Sequence, residues 1–134
     1  MQGMRIALAL ALALVALGVA GCGGDDEEAT TTPPTETTPA GTVLKGSVGP
    51  GFEISIATDT GDPLGTLAPG SYELEVDDMS SIHNFHLTGP GVDVMTEVSE
   101  EETESFQLEL EAGTYTFVCD PHASTMNGSF EVSG

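Results

Sequence analysis

From Thr42 onward, apolar and polar residues alternate with a period of two, the pattern of strands with one face in a core and one in solvent. Phe52, Ile54 and Ile56 alternate with Glu53, Ser55 and Ala57, and Tyr72, Leu74 and Val76 alternate with Ser71, Glu73 and Glu75. Phe106, Leu108 and Leu110 share a third such face, Tyr115, Phe117 and Cys119 a fourth, and Phe130 and Val132 a fifth. A shorter run sets His83, Phe85 and Leu87 on one side and His86 on the other. Turn chemistry separates the runs at Gly49-Pro50-Gly51, Gly61-Asp62-Pro63, Pro69-Gly70, Gly89-Pro90-Gly91, Ala112-Gly113 and Asn127-Gly128. Short strands punctuated in this way predict an all-β sandwich or barrel.

One of these strands ends in chemistry. Tyr115-Thr116-Phe117-Val118 delivers Cys119 as its last inward residue, and Asp120-Pro121-His122-Ala123-Ser124-Thr125-Met126 follows. Pro121 fixes a backbone dihedral and removes a donor, so the chain must leave the ladder there and is free to fold back over the thiol. On a helix, Cys119, His122 and Met126 would form an ordinary half-buried stripe, but Pro121 and the β-branched, aromatic run before it oppose a helix. In a loop they gather a thiolate, an imidazole and a thioether. His83 is the candidate for a fourth ligand from a neighbouring strand. Two histidines, a thiolate and a weak axial thioether are the trigonal set that suits copper.

The pattern Tyr-x-Phe-x-Cys-Asp-Pro-His-x-x-x-Met-x-Gly, with His83-Asn84 upstream, resembles the small blue copper proteins, the cupredoxins of plastocyanin and azurin type. The resemblance spans residues 42–134. It implies a Greek-key β-sandwich of about eight strands holding one type 1 copper ion that carries single electrons. Position by position, it makes His83 and His122 the imidazole ligands, Cys119 the thiolate and Met126 the axial sulfur. It also implies that the Asn84 backbone N–H donates to the Cys119 sulfur while the Asn84 side chain pins the ligand loop. The His122-to-Met126 spacing is that of azurin, whereas Cys-x-Pro-His is the plastocyanin form.

The rest of the chain sets the context. Arg5 precedes an unbroken apolar run from Ile6 to Leu17, too short to span a bilayer comfortably, and Val19-Ala20-Gly21-Cys22 resembles a bacterial lipobox. Residues 1–21 are therefore expected to be a signal peptide, with Cys22 lipidated and the protein held at the outer face of the cytoplasmic membrane, periplasmic or at the cell surface. Residues 22–41, acidic and then rich in Thr and Pro, are expected to be a disordered tether with a reach on the order of 25 Å. Residues 42–134 are the expected copper-binding domain.

Loss of Arg5 with the signal leaves Lys45 as the only Lys or Arg against 22 Asp and Glu residues. Nucleic acid is excluded as a partner on that charge, and a redox protein with a basic docking surface fits it. Glu97, Glu100, Glu101, Glu102 and Glu104 read as a solvated loop and strand start or, alternatively, as a docking patch; no regular calcium loop is present. His86 reads as a surface histidine. Copper oxidases and nitrite reductases need further histidine clusters, and with three histidines in all no enzyme and no small-molecule substrate is expected. A copper-delivery module on the same scaffold, without electron transfer, is the alternative.

Overall fold

The computed structural model describes residues 37–134, so the expected signal peptide, Cys22 and most of the expected tether lie outside the described residues. Ten strands form in the order β1 (Thr37–Thr38), β2 (Val43–Val48), β3 (Ile54–Thr58), β4 (Thr66–Leu67), β5 (Gly70–Asp78), β6 (His86–Gly89), β7 (Val92–Met95), β8 (Glu102–Leu110), β9 (Gly113–Val118) and β10 (Asn127–Val132). A single 3₁₀ turn, Asp120–His122, separates the last two. Eight of the ten strands have four residues or more, which is the expected number; β1 and β4 are two-residue pairings.

Two sheets pack face to face. One runs β1-β4-β10-β9-β6-β7 and the other β3-β2-β5-β8, with chain connections passing repeatedly from sheet to sheet in Greek-key fashion. Period-2 alternation decides what lies between them. Leu44 and Val48 of β2, Tyr72, Leu74 and Val76 of β5, and Leu108 and Leu110 of β8 face Leu87, Tyr115, Phe117, Phe130 and Val132 of the larger sheet in one buried cluster. Each fully buried Leu or Phe in such a cluster contributes about 1.5–3 kcal/mol through the surface it removes from water. Gly128 allows one close approach, because its missing side chain leaves room for the ring of its cross-strand partner Phe117.

Both tyrosines are buried and both use their hydroxyls to close corners. Tyr72 Oη donates to Ala68 O at 2.7 Å, and Tyr115 Oη lies 3.1 Å from Glu111 O and 3.0 Å from Pro90 O while accepting from the Glu111 N–H at 2.9 Å. Each hydroxyl thus reaches backbone four residues upstream, locking the turn before its strand.

The structure corrects the pattern in two places. Pairing begins at Thr37, within the expected tether: Thr37 and Thr38 lie parallel to Thr66 and Leu67, and Gly41 N–H donates to Ser71 O. Main-chain bonds need no apolar side chain, so composition gave no sign of this. Phe52 also leaves the face it shares in sequence with Ile54 and Ile56, because the Gly49-Pro50-Gly51 turn delays β3 until Ile54; Phe52 is 65% exposed.

Candidate metal centre

The candidate ligands His83, Cys119 and His122 meet at one end of the sandwich. β9 carries Cys119 to the rim in extended conformation, and Pro121 then sits in the 3₁₀ turn that brings His122 back toward it. The loop is closed by its own backbone: Cys119 N–H donates to Met126 O, His122 N–H to Cys119 O, and the Thr125 and Met126 N–H groups to His122 O, each at 2.9 Å. From the neighbouring strand comes the segment before β6, where His83 is fully buried. Cys119 and Met126 are buried as well, whereas His122 is half-buried.

Three donor atoms converge. His83 Nδ1 lies 3.1 Å from His122 Nδ1, and Cys119 Sγ lies 3.6 Å from each of them. Two ligands bonded to one ion at about 2.0–2.3 Å stand about 3–4 Å apart when the angle between them is open, so all three separations fit a shared metal. Hydrogen bonding among the three atoms satisfies them poorly. Only one hydrogen can occupy the contact between the two ring nitrogens, and the thiol is a weak donor. A soft or borderline cation satisfies all three at once. The structure brings His83, Cys119 and His122 together, and it buries Met126 in the core cluster that Cys119 joins.

The surroundings hold these side chains in place. Asn84 Nδ2 donates to Asp120 Oδ2 and Asp120 N–H donates to Asn84 Oδ1, both at 2.8 Å, so the side chain of Asn84 ties the His83 segment to the Cys119 loop. The backbone bond from Asn84 to the Cys119 sulfur, implied by the resemblance, is not among the hydrogen bonds of the described residues; the sulfur's polar neighbours there are the two imidazoles. A second brace comes from β5. Thr96 Oγ donates to the buried carboxylate of Asp78 at 2.6 Å and accepts from Phe85 N–H at 2.9 Å, and Thr96 N–H returns to Phe85 O at 3.0 Å. Burial pushes the Asp78 carboxyl above the usual carboxylate range, against the bonds from Thr96 and Ser80.

Two residues of this end were not apparent in the sequence. Phe52 sets its ring edge-to-face against both imidazoles, with centroids 5.2 Å from His83 and 5.0 Å from His122. Gly49 lets its loop come this near, since a Cβ there would lie 2.7 Å from Ser80 Cβ and 3.6 Å from His83 Cδ2. His86 is half-buried between two carboxylates and is not a free surface histidine. Its opposite facing from His83 was readable from the alternation, but its partners come from β7 and the ligand loop, which the alternation does not place.

Residues 70–133 match the family profile described as copper binding proteins, plastocyanin/azurin family. No curated protein matches the chain. Among solved structures, reduced rusticyanin aligns at 21% identity and a TM-score of 0.47 over 72% of this chain and 83% of its own. Rusticyanin from Thiobacillus ferrooxidans aligns at 24% identity and a TM-score of 0.46, covering 72% of this chain and 80% of its own. The family match spans the strands that meet at the converging His83, Cys119 and His122 atoms, within a two-sheet all-β domain. Residues 70–133 thus belong to a cupredoxin domain of the copper-binding plastocyanin/azurin family, and the His83, Cys119 and His122 atoms fit one copper ion as its cofactor.

Proposed function

We propose that this cupredoxin is a one-electron carrier, with His83, Cys119 and His122 as equatorial ligands and Met126 as the axial one. The observation that carries the reading is the approach of the His83, Cys119 and His122 donor atoms to 3.1–3.6 Å of one another inside a braced, largely buried site. When bound, copper supplies exchange of one electron between Cu(I) and Cu(II). The chain's part is to keep its ligands from rearranging as the charge changes. The Asn84–Asp120 pair, the Asp78–Thr96–Phe85 chain and the backbone bonds across the loop all oppose such movement. His83 and Cys119 are shut away from water, while the half-buried ring of His122 offers a short path to the surface. Exposed Phe52 packs against that ring, and exposed Met79 lines one surface pocket with Phe52 and Thr125 of the ligand loop, an apolar rim on which a partner can settle.

The same inventory supports a non-enzymatic role. Of the chain's three histidines, two converge with Cys119 and the third is committed to Asp93 and Asp120, which leaves none for an oxygen or nitrite site. The partner we propose is a redox protein with a basic docking surface, met through the acidic field of this domain. The place of action we propose is outside the cytoplasm, with Cys22 lipidated and the domain tethered to the membrane; full-length protein found wholly in the soluble fraction would refute that anchor.

The test is the copper-loaded protein itself. An intense visible thiolate band together with a reversible one-electron wave is expected. Copper bound without a reversible wave would assign the protein to copper delivery instead.

A further inference from the structure

Next to the ligand set, and outside it, lies an ion cluster. His86 opens β6 with a carboxylate on each ring nitrogen: Nδ1 is 2.9 and 3.1 Å from the two oxygens of Asp120, and Nε2 is 2.9 Å from Asp93 Oδ1. A neutral imidazole has one N–H and one lone pair, so one of these contacts would set a lone pair against a carboxylate. Both are hydrogen bonds only when the ring is an imidazolium. Desolvation disfavours that charge, yet the bonds from Asp120 and Asp93 outweigh it and hold the His86 pKa above its ordinary value. Its cross-strand neighbours, Met95 of β7 and Val118 of β9, carry no charge.

The cluster reaches both ligand-bearing segments. Asp120 follows Cys119 directly, and its backbone N–H and one of its oxygens are both bonded to Asn84, which follows His83. Among the described residues the other cation is Lys45, which lies on β2 paired with Glu75 at 2.8 Å.

We infer that His86 is a positioning residue of the copper site, holding a positive charge behind the ligand loop that favours the reduced state and raises the reduction potential. The electrostatic sign is fixed. The oxidised centre carries one more positive charge than the reduced one, so a nearby cation destabilises it, and the many carboxylates of this chain act in the opposite sense. As an anchor for Asp120, the same ring steadies the loop between Cys119 and His122. The inference rests on the one-electron reading above.

The test is voltammetry of the copper-loaded full-length protein from mildly acidic to alkaline pH, joined to nitrogen-15 NMR of the His86 ring in metal-free protein. In the wild type the ring should be doubly protonated at neutral pH, and the potential should fall as pH rises through the His86 pKa. His86→Gln should show a lower potential than wild type at neutral pH and lack that fall. Asp93→Asn keeps the Asp120 bond but removes one carboxylate, so the fall should move to lower pH with the visible band retained; this variant decides the matter if His86→Gln does not fold. A neutral His86 ring at neutral pH, or a His86→Gln potential equal to or above that of a reversible wild type, overturns the inference alone. A wild type with no reversible wave overturns the carrier reading on which it stands.

Discussion

The two ends of the sandwich treat buried polar groups in opposite ways, and β9 shows both. At its start, Tyr115 is fully buried and its hydroxyl has three backbone partners within 3.1 Å. At its other end, Cys119 is equally buried but points its sulfur at two imidazole nitrogens 3.6 Å away, while His83 Nε2 has no hydrogen-bond partner among the described residues. β5 repeats the theme, with Tyr72 closing a corner at one end and Asp78 bracing the metal centre at the other. Saturated hydrogen bonding at the tyrosine end holds the fold. Unspent coordinating capacity at the other end is what a metal can use, and a site can keep it only because the rest of the domain is stable without it.

The largest expected effect breaks the copper end alone. Cys119→Ser replaces the soft thiolate by a hydroxyl and should abolish the intense visible band, while the metal-free domain unfolds at nearly the wild-type temperature. A large loss of stability in the metal-free variant would mean that the donor cluster also holds the fold. Tyr115→Phe tests the converse. It leaves the Glu111 N–H without its partner and removes a donor from two carbonyls, which should cost about 1–3 kcal/mol in denaturant unfolding. Its visible spectrum and potential should match wild type, and a shifted spectrum would show that the two ends are coupled.

How much of this was legible follows from the range over which each feature is determined. The ligand loop is local: Pro121 after a period-2 strand forces the chain to turn, so Cys119, His122 and Met126 could be grouped from their spacing. His83 was reachable because alternation puts it on the face of Phe85 and Leu87, all three of which are buried. The double bond between Asn84 and Asp120 joins segments distant in the chain, and only the family resemblance anticipated that Asn84 would pin the loop. Phe52 was misassigned because alternation continues through it although the strand does not; the glycine-proline turn redirects it onto the imidazoles. His86 had a readable face and no readable partners, since Asp93 approaches across a hairpin and Asp120 from the 3₁₀ turn. The pairing of Thr37 and Thr38 is pure main chain, which hydrophobic patterning does not register.

The smallest and sharpest effect concerns Met126, which belongs to both descriptions at once: it is buried in the core cluster, and its backbone carbonyl receives the Cys119 N–H. Its backbone role survives any side-chain change, so substitution isolates the thioether. If that sulfur is the axial ligand, its bond is long and weak, and it tunes the centre more than it holds it. Met126→Leu is close to volume-conserving and should leave copper bound with its blue colour retained. The potential should rise, because electron density that favours Cu(II) is gone. Met126→Gln should lower the potential, since a harder oxygen donor stabilises Cu(II). Were Met126 only a lid over the loop, the two variants would differ chiefly in stability, Gln being the worse for burying an amide, and their potentials would stay near wild type. Voltammetry of the pair separates the two cases: displacement in opposite directions assigns the thioether to the metal, and potentials that do not diverge assign it to the core.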